Sequence, residues 1–517
     1  METQRGAARG RRIELRNGLL IDVIAGRPFD RGVRVLLEHG RIAALPGMPG
    51  QSAPEPDLVV DLSGRTVVPG LFNTHVHVAM PMPGTVLGLF EVTLPRKHGR
   101  EQVRTNLTEC LSRGITTVRD TLCEDLRIAC RLKSALASGE LKGPRLHQSV
   151  LVCPTGGTFA APRTFVDRLT LPLVGLPVLD PEEDISGVLP FPPDAPPSEV
   201  RTAVDRAIDA RGAEHIKLYD QREHKLTYRP GAAVMTQAQM DAAADQARRR
   251  GVTCTVHQVT VESFRRAVRA GVTSLAHMPI DAPLTEDDVL RFRAAGCFIE
   301  PTASLAYFYS WAREVLAGHS RLARLDRLRT PEHRRRIEGS WVPRLRPLVR
   351  GSLDRVAAGV RRTCGVIDVS PVFRYFAPLV TRGFDNLRLI RALAGVDRIA
   401  CGNDAGPCPS TPAGVGLELE MLELGLTGDD GDGGLAPADA LRIATITSAK
   451  AMGVDDRLGS IEVGKAADLA VLDGDPLRDP RVLGRPVSAL FLDGDLVIDR
   501  CGLDLREPRA VDSPGTV

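Results

Sequence analysis

Residues 67–78 read VVPGLFNTHVHV, and this stretch decides the fold. An apolar run passes through a Pro-Gly turn and ends in a His-x-His pair. In a β-strand, residues i and i+2 point to the same face, so His75 and His77 would project together from the end of a buried strand. Two neutral imidazoles side by side suit a divalent metal ion. A chance pair of half-buried histidines would look the same, so the residues that follow have to decide.

The composition excludes several classes of protein. A chain of 517 residues can bury a large core in more than one domain, and 43% hydrophobic with 25% charged residues is typical of globular proteins. The net charge of +3 is too small to indicate a nucleic-acid partner, and no apolar run approaches a membrane span. Residues 1–12 do not resemble a secretory signal, and ten scattered cysteines lack the spacing of a disulfide framework. We therefore expect a cytoplasmic protein.

Both ends of the chain contain short strand patterns joined by tight turns. Alternating apolar residues with Asn-Gly and His-Gly turns predict a small antiparallel sheet within residues 12–66. Residues 455–505 repeat the pattern. Neither end holds enough strands for a stable sheet alone, so we predict that the two segments pair into one composite β-sandwich domain.

The middle of the chain, residues 67–454, alternates strand and helix patterns. With the strand of His75, the candidate strands are 116–120, 147–153, 214–219, 252–257, 272–277, 297–301 and 398–402. Eight such units predict an α/β fold, a parallel (β/α)8 TIM-like barrel. Two insertions interrupt it: residues 154–200, rich in Pro and Gly and predicted as loop, and residues 303–385, predicted as mostly helical.

The second insertion is strongly basic. Residues 313–362 contain 14 arginines and 5 acidic residues, a net charge of +9. Solvated helical faces or a contact between subunits would explain this charge. A lid over the barrel mouth that receives an acidic substrate would explain it as well, and the sequence does not separate the two.

Further polar residues lie at the ends of the predicted strands. They are Lys217, His257 and His277, with Asp404 directly after the eighth strand. In a parallel barrel the carboxyl ends of all strands meet at one mouth. Six nitrogen and oxygen groups would therefore converge there with the His-x-His pair, and such a convergence by accident is far less expected than a single histidine in that place.

These motifs resemble the metal-dependent amidohydrolase superfamily, and most of all its imidazolonepropionase-like and prolidase-like branch. The resemblance covers roughly residues 12–500 apart from the two insertions. The motifs that carry it are VPGLFNTHVH at 68–77, GITTVRD at 114–120, the run 271–277, GNDAG at 402–406, and the run from 440 to GKAADL at 464–469. Together they indicate the superfamily well and the substrate poorly.

The resemblance implies a role for each of the six groups. His75, His77 and Asp404 would hold the more buried metal ion, and His257 and His277 the second. Lys217 resembles the family lysine that reacts with carbon dioxide, and its carbamate would bridge the two ions. Zn²⁺ is the expected metal, with Mn, Co or Fe as alternatives. A metal-bridging hydroxide would attack the substrate, and Asp404 would move its proton.

One departure from the family concerns the substrate. Peptidases of this branch often carry Gly-Gly-His after the third strand, whereas this chain has Gly156-Gly157-Thr158. Thr158 is therefore the expected substrate contact, and Tyr219 or His224 could take the role of the missing histidine. A surface role for Tyr219 and His224 is an equal alternative.

The predicted function is hydrolysis of an amide or peptide C–N bond in a small molecule or peptide, either dipeptidase-like or in the tailoring of a modified peptide. Opening of a cyclic amide such as an imidazolone or lactam is the main alternative. Lys217 weighs against it, because imidazolonepropionases proper use one metal. A deaminase or a non-catalytic scaffold are further alternatives. We expect a homo-oligomer without a membrane or nucleic-acid partner.

Overall fold

The computed structural model describes residues 11–30, 32–50, 54–78, 96–123, 125–157, 159–160, 183–221, 232–306, 379, 381–406, 411–427, 434–503 and 505–506. Thr158, His224, the Arg-rich segment 313–362 and most of the predicted helical insertion 303–385 lie outside these residues. The predictions made for them stay predictions.

The described chain contains strands and helices in the following order. The strands are β1 (Ile13–Arg16), β2 (Leu19–Asp22), β3 (Arg27–Pro28), β4 (Val35–Glu38), β5 (Arg41–Ala44), β6 (Leu58–Asp61), β7 (Thr66–Pro69), β8 (Leu71–Val76), β9 (Ile115–Asp120), β10 (Arg145–Pro154), β11 (Val188–Phe191), β12 (His215–Tyr219), β13 (Thr253–His257), β14 (Ser274–Ala276), β15 (Phe298–Glu300), β16 (Leu469–Leu472), β17 (Ala489–Leu492), β18 (Asp495–Asp499) and β19 (Leu505–Arg506). The α-helices are α1 (Arg96–Ser112), α2 (Leu126–Ala137), α3 (Pro197–Asp209), α4 (Gln237–Arg249), α5 (Val261–Ala270), α6 (Glu286–Ala294), α7 (Arg382–Ala394), α8 (Val415–Leu426), α9 (Pro437–Arg442) and α10 (Ser448–Ala451). Within the described ranges, none of these helices has both the length and the apolar character that crossing a membrane requires.

The chain divides into two compact units. The first unit contains residues 1–72, 108–117 and 436–517, and the second contains residues 73–107 and 118–435. The domain boundaries predicted from the sequence, at residues 66/67 and 454/455, stay a prediction.

The first unit contains two packed sheets. One has the strand order β19-β6-β1-β4-β5 and the other β18-β17-β16-β7-β2-β3. In the second sheet β7 lies between β2, from the N-terminal segment, and β16, from the C-terminal segment. Buried residues from both sheets, among them Ile13, Val35, Val67 and Phe491, form one hydrophobic core. The predicted composite β-sandwich is confirmed, because strands from the N- and C-terminal segments form two sheets that share this core.

The barrel contains the predicted parallel strands in the order β15-β14-β13-β12-β10-β9-β8. The segment 399–405 takes the eighth position: parallel bridges join Ile399 to Ile299 of β15 and Ala405 to Val76 of β8. Each strand is followed along the chain by one of the helices α1 to α8. The predicted (β/α)8 barrel is thereby confirmed. The eighth strand differs in being bridged only at its two ends, and Asp404 within it has a left-handed φ of 49° that interrupts a regular ladder.

The loop predicted for residues 154–200 is wrong in its second half. Residues 188–191 form β11, which pairs in parallel with the end of β10, and α3 begins at Pro197. The prolines that indicated a loop are compatible with both elements. Pro190 lies in a strand that pairs with β10 on one side, and a proline at the first position of a helix loses no hydrogen bond.

Local signals set the ends of the barrel helices. Thr236 before α4 forms a capping box with Gln239, and Thr285 before α6 forms one with Asp288. Each box satisfies backbone N–H groups that would otherwise lack a partner in the first turn. The helix α5 ends at Gly271, whose φ of 68° is the left-handed conformation that glycine adopts without strain. Caps of this kind hold the helices, and with them the strand ends that form the site.

Candidate metal centre

The histidines of β8 converge on one carboxylate. Oδ1 of Asp404 lies 3.1 Å from Nε2 of His77 and 3.5 Å from Nε2 of His75. His75 is the fifth residue of a strand whose six residues are all buried, and His77 follows that strand directly. The structure therefore brings together the three side chains predicted for the first metal position.

Backbone hydrogen bonds place Asp404 beside β8. The amide of Asp404 donates to the carbonyl of His75 at 2.9 Å, and the amide of His77 donates to the carbonyl of Ala405 at 2.6 Å. Two glycines allow this approach: a Cβ at Gly402 would lie 2.7 Å from Cβ of His75, and a Cβ at Gly406 would lie 2.5 Å from Cβ of His77. Any side chain at either position would push the carboxylate away from the histidines.

His257 and His277 form the second half of the cluster. His257 ends β13, and His277 follows β14 with a left-handed φ of 69°. Nδ1 of His257 lies 2.9 Å from Nε2 of His277. The rings of His277 and His75 are 5.3 Å apart, so the two pairs of histidines share one site.

Hydrogen bonds on the far side of each ring fix its tautomer. Oε1 of Gln221, which accepts from the hydroxyl of Tyr219, lies 2.7 Å from Nε2 of His257, so this nitrogen carries the proton. The hydroxyl of Thr302 donates to the carbonyl of Pro301, and its oxygen lies 2.8 Å from Nδ1 of His277. That oxygen therefore accepts from Nδ1–H.

These tautomers leave two lone pairs facing each other. Nδ1 of His257 and Nε2 of His277 are then both acceptors, 2.9 Å apart, and two acceptors attract each other only through a proton or a cation between them. One ligand atom from each of His75, His277 and Asp404 also falls within 4.8 Å of the others. The residues present therefore fit a divalent metal ion, which binds neutral imidazoles and carboxylates.

Lys217 lies in the same cluster, on β12. Its side chain is buried, and among the described residues its Nζ has no hydrogen-bond partner. The pKa of Lys217 is lowered to about 8, because burial and the charge of Arg119 lower it more than the charges of Glu300 and Asp404 raise it. A buried amine without hydrogen-bond partners is costly as a cation, so a larger fraction of Lys217 is neutral near pH 7 than of an ordinary lysine.

The protonation of the two β8 histidines differs. Burial lowers the pKa of His75 well below its ordinary value, and the charge of Lys217 adds to this shift. Burial also acts to lower the pKa of His77, but the hydrogen bond and the charge of Asp404 outweigh it, so the pKa is raised. The raised pKa favours a protonated His77, whose Nε2 faces the carboxylate of Asp404.

Sequence reasoning missed the buried ion pair of Arg119 and Glu300. The guanidinium of Arg119 bonds to Glu300 and, through Nε, to the carbonyl of Thr74 at 2.9 Å. The other oxygen of Glu300 lies 3.4 Å from Nδ1 of His75. A carboxylate behind a ligating histidine orients the ring and raises its basicity. The signal was present, because Glu300 is the penultimate residue of the predicted strand 297–301, close to the end where the histidines of the other strands lie.

The predicted substrate contacts are only partly described. Tyr219 is buried, its ring stacks on His257 with centroids 4.2 Å apart, and its hydroxyl donates to Gln221. This placement supports His257 directly, and a substrate contact of Tyr219 stays a prediction. Thr158 and His224 lie outside the described residues.

Three residues around the site have left-handed backbone conformations that side chains disfavour. His277, Thr302 and Asp404 have φ angles of 69°, 50° and 49°. Each such residue costs on the order of 1–3 kcal/mol and persists only where its surroundings enforce it. Their clustering at the ends of neighbouring strands is typical of a functional site.

Comparison with known proteins agrees with this architecture. A sequence profile described as the amidohydrolase family matches residues 66–497. An imidazolonepropionase of Herpetosiphon aurantiacus is 33% identical over 102 residues, which cover 19% of this chain and 21% of that protein. The similarity thus spans about a fifth of the length of that curated relative.

Solved structures are similar over nearly the whole chain. A Xaa-Pro dipeptidase with bound methionine in its active site superposes with a TM-score of 0.65 at 24% identity, covering 94% of this chain and 99% of that one. A molinate hydrolase superposes with a TM-score of 0.64 at 20% identity, covering 95% of each chain. At such identities the likeness shows a common fold.

Proposed function

Because the chain belongs to the amidohydrolase family, we propose that it hydrolyses an amide or peptide C–N bond at a site for two divalent metal ions. The observation that carries this proposal is the convergence of four histidines and Asp404 from different strand ends, with two imidazole lone pairs facing each other. Lys217 buried beside them adds the sixth group.

The ligands divide into two sets. His75, His77 and Asp404 would hold one ion, His257 and His277 the other, and Lys217 would bridge them. Zn²⁺ suits a site this rich in imidazole, and Mn, Co or Fe could also bind. Bound ions would lower the pKa of water to about 7 and polarise the scissile carbonyl.

Asp404 would act as the proton carrier. Its carboxylate lies in hydrogen-bonding distance of His77 and at the centre of the cluster, where the attacking water must sit. It would take a proton from that water and pass it to the leaving nitrogen as the C–N bond breaks. The products are then a carboxylate and an amine.

Lys217 would react with carbon dioxide. The ammonium would first lose one proton, and the neutral amine would attack the carbon of carbon dioxide, forming an N–C bond as one C–O π bond opens. A second proton would then leave the nitrogen, so that a buried cation becomes an anion. The lowered pKa of about 8 supports this step, because only the neutral amine is a nucleophile. A free ammonium between two metal ions would repel both of them.

The substrate would be a small molecule or a peptide. Tyr219 closes one side of the cluster, and the proposed contacts of Thr158 and His224 would extend it. The Xaa-Pro dipeptidase is similar in fold only, so it supports a peptide substrate no more than an N-acyl amino acid. A homo-oligomer remains part of the proposal.

A cyclic amide is the second candidate substrate. The local sequence similarity to an imidazolonepropionase, which opens such a ring, favours it. Ring opening also breaks a C–N bond by the addition of water, so the same six side chains would serve.

A substrate panel tests the proposal. The protein, purified with Zn²⁺ supplied and again with Mn²⁺, is incubated with Xaa-Pro and other dipeptides, N-acyl amino acids, lactams and imidazolones, and products are followed by mass spectrometry. We expect hydrolysis in one class, lost on chelation and restored by metal. The proposal would be overturned if the protein only deaminated a substrate and hydrolysed no amide bond. It would also be overturned if turnover were unaffected by chelation.

A further inference from the structure

A buried carboxylate outside the ligand set contacts the turn that follows β15. Oε1 of Glu418, on α8, accepts from the amide of Ala303 at 2.7 Å, and Oε2 accepts from the amide of Ser304 at 2.8 Å. The side chain of Glu418 is fully buried, and among the described residues it pairs with no basic side chain. Both of its oxygens are thus committed to two consecutive backbone amides.

The turn held by Glu418 carries the acceptor of His277. Thr302, directly before Ala303, has a φ of 50°, a rare conformation for a β-branched residue. The surroundings must enforce such a conformation. The hydrogen bonds that the backbone amides of Ala303 and Ser304 donate to Glu418 fix the residues that follow Thr302. The hydroxyl of Thr302 in turn accepts from Nδ1 of His277 and directs the other ring nitrogen toward the site.

The same turn also reaches the segment of Asp404. The hydroxyl of Ser304 donates to the carbonyl of Asn403 at 3.2 Å. Asn403 directly precedes Asp404, whose own φ is 49°. The carboxylate of Glu418 therefore holds the turn of Thr302 directly and, through the hydroxyl of Ser304, contacts the turn of Asp404.

Stability alone does not account for a carboxylate here. Burial raises the pKa of Glu418 to about 7 even though the amides of Ser304 and Ala303 favour its charged form. A buried group that the fold disfavours in its charged form is a poor source of stability. What the carboxylate contributes and an apolar side chain could not is the position of two backbone turns.

We propose that Glu418 is a positioning residue, which holds the turns of Thr302 and Asn403 so that His277 and Asp404 face the metal ions. The inference rests on the proposed function, because it assumes that these two residues are ligands. It adds a residue that the ligand motifs do not contain.

The test replaces Glu418 with glutamine and follows metal binding. Glu418→Gln keeps the shape but presents an N–H₂ group to one backbone amide. Affinity for Co²⁺ is measured by titration of the metal-free protein, and the visible absorption of bound Co²⁺ reports the ligand geometry. We expect Co²⁺ affinity to fall roughly 10- to 100-fold, the usual effect of losing support behind a ligand, with a changed spectrum.

Glu423→Gln is the matched control. Glu423 lies on the same helix, is half-buried, and accepts from the backbone amide of Leu435, which carries no residue of the site. The Glu423→Gln variant should be less stable, but its Co²⁺ affinity and the absorption spectrum of its bound Co²⁺ should not change. Ser304→Ala, which keeps Glu418 and removes the hydroxyl that bonds to Asn403 and to Glu418, should weaken Co²⁺ binding by about threefold.

The outcomes separate the two proposals. If the unaltered protein binds no metal, the proposed function fails. If it binds metal and Glu418→Gln has the same Co²⁺ affinity and spectrum, only the role of Glu418 fails. The same holds if Glu418→Gln and Glu423→Gln weaken Co²⁺ binding equally, since the effect would then be one of general stability.

Discussion

Asp404 contacts both histidines of the first barrel strand through a single oxygen, Oδ1, at 3.1 Å from His77 and 3.5 Å from His75. In the proposed mechanism the same group would therefore serve as metal ligand and as proton acceptor. The left-handed backbone of Asp404 and the hydrogen bond from its backbone amide to the carbonyl of His75 hold the residue there independently of its charge.

Asp404→Asn should abolish turnover and leave the fold intact. An amide of the same shape cannot accept the proton of water, and loss of a general base costs roughly 10²- to 10⁴-fold. We expect kcat to fall by about 10³-fold on whichever substrate the panel identifies, while circular dichroism is unchanged. Asp397→Asn, on an exposed aspartate just before the same segment, should retain normal kcat. Activity of Asp404→Asn within about tenfold of normal would mean that another group moves the proton.

Lys217 should form its carbamate more readily than an ordinary lysine. The amount of carbamate should rise with pH and reach half of its maximum near pH 8. Its pKa is lowered to about 8, so about a tenth of the amine is neutral at pH 7, and the neutral fraction rises with pH. The measurement is the carbamate signal of the metal-free protein in ¹³C-bicarbonate by NMR, corrected for dissolved CO₂ at each pH.

Lys217→Arg gives the background for that signal, because arginine keeps the charge and forms no carbamate under these conditions. A signal no larger than that of Lys217→Arg would remove the bridge from the account. A midpoint above pH 10 would mean that the amine is not shielded from water as its burial indicates.

The side chains proposed as metal ligands were predictable from the sequence, whereas the side chains that hydrogen-bond to them were not. Apolar runs end at each of the four histidines, His75, His77, His257 and His277. The carboxyl ends of all strands in a parallel barrel lie at the same face, so these side chains were expected to converge. Gln221 and Thr302 carry no such pattern, because polar residues after strands are common in loops. Their role comes from side-chain hydrogen bonds that join residues 25 to 36 positions apart in the chain.

Among the elements, the segment 399–405 is the one whose position the sequence describes least well. It contains Gly402 and a left-handed aspartate, and Gly406 follows it directly, so its propensity for a strand is low. Contacts with β8 and β15 override that propensity. The glycines are the condition for this packing, since their missing side chains let the segment lie against the histidines of β8.

Gly402→Ala should therefore destabilise the protein and weaken metal binding together. The added Cβ would lie 2.7 Å from Cβ of His75, a distance that the backbone can relieve only by moving Asp404 or His75. We expect a loss of about 1–3 kcal/mol in the free energy of unfolding by urea and a lower metal content.

Gly383→Ala supplies the comparison, because its Cβ would meet its nearest neighbour at an ordinary 3.5 Å inside α7. It should leave the free energy of unfolding unchanged or raise it slightly. Equal stability and metal content in Gly402→Ala and the unaltered protein would contradict the close packing of the eighth segment.

At the scale of the whole molecule, the alternation of strands and helices predicted the barrel, and the shortage of strands at each end predicted the composite sandwich. Both follow from apolar periodicity, which the sequence displays directly. The order of strands within each sheet does not follow from periodicity, because it depends on which edges meet in space. The placement of β7 between an N-terminal and a C-terminal strand is of that kind.

The central claim is that six side chains at the ends of five barrel strands form one site for two metal ions. The most direct test is the metal content of the protein purified with divalent metal supplied in growth and purification, measured by inductively coupled plasma mass spectrometry. The account predicts about two equivalents per chain. One equivalent would contradict the bridged site and favour a mononuclear hydrolase or deaminase, and none would contradict the metal centre altogether.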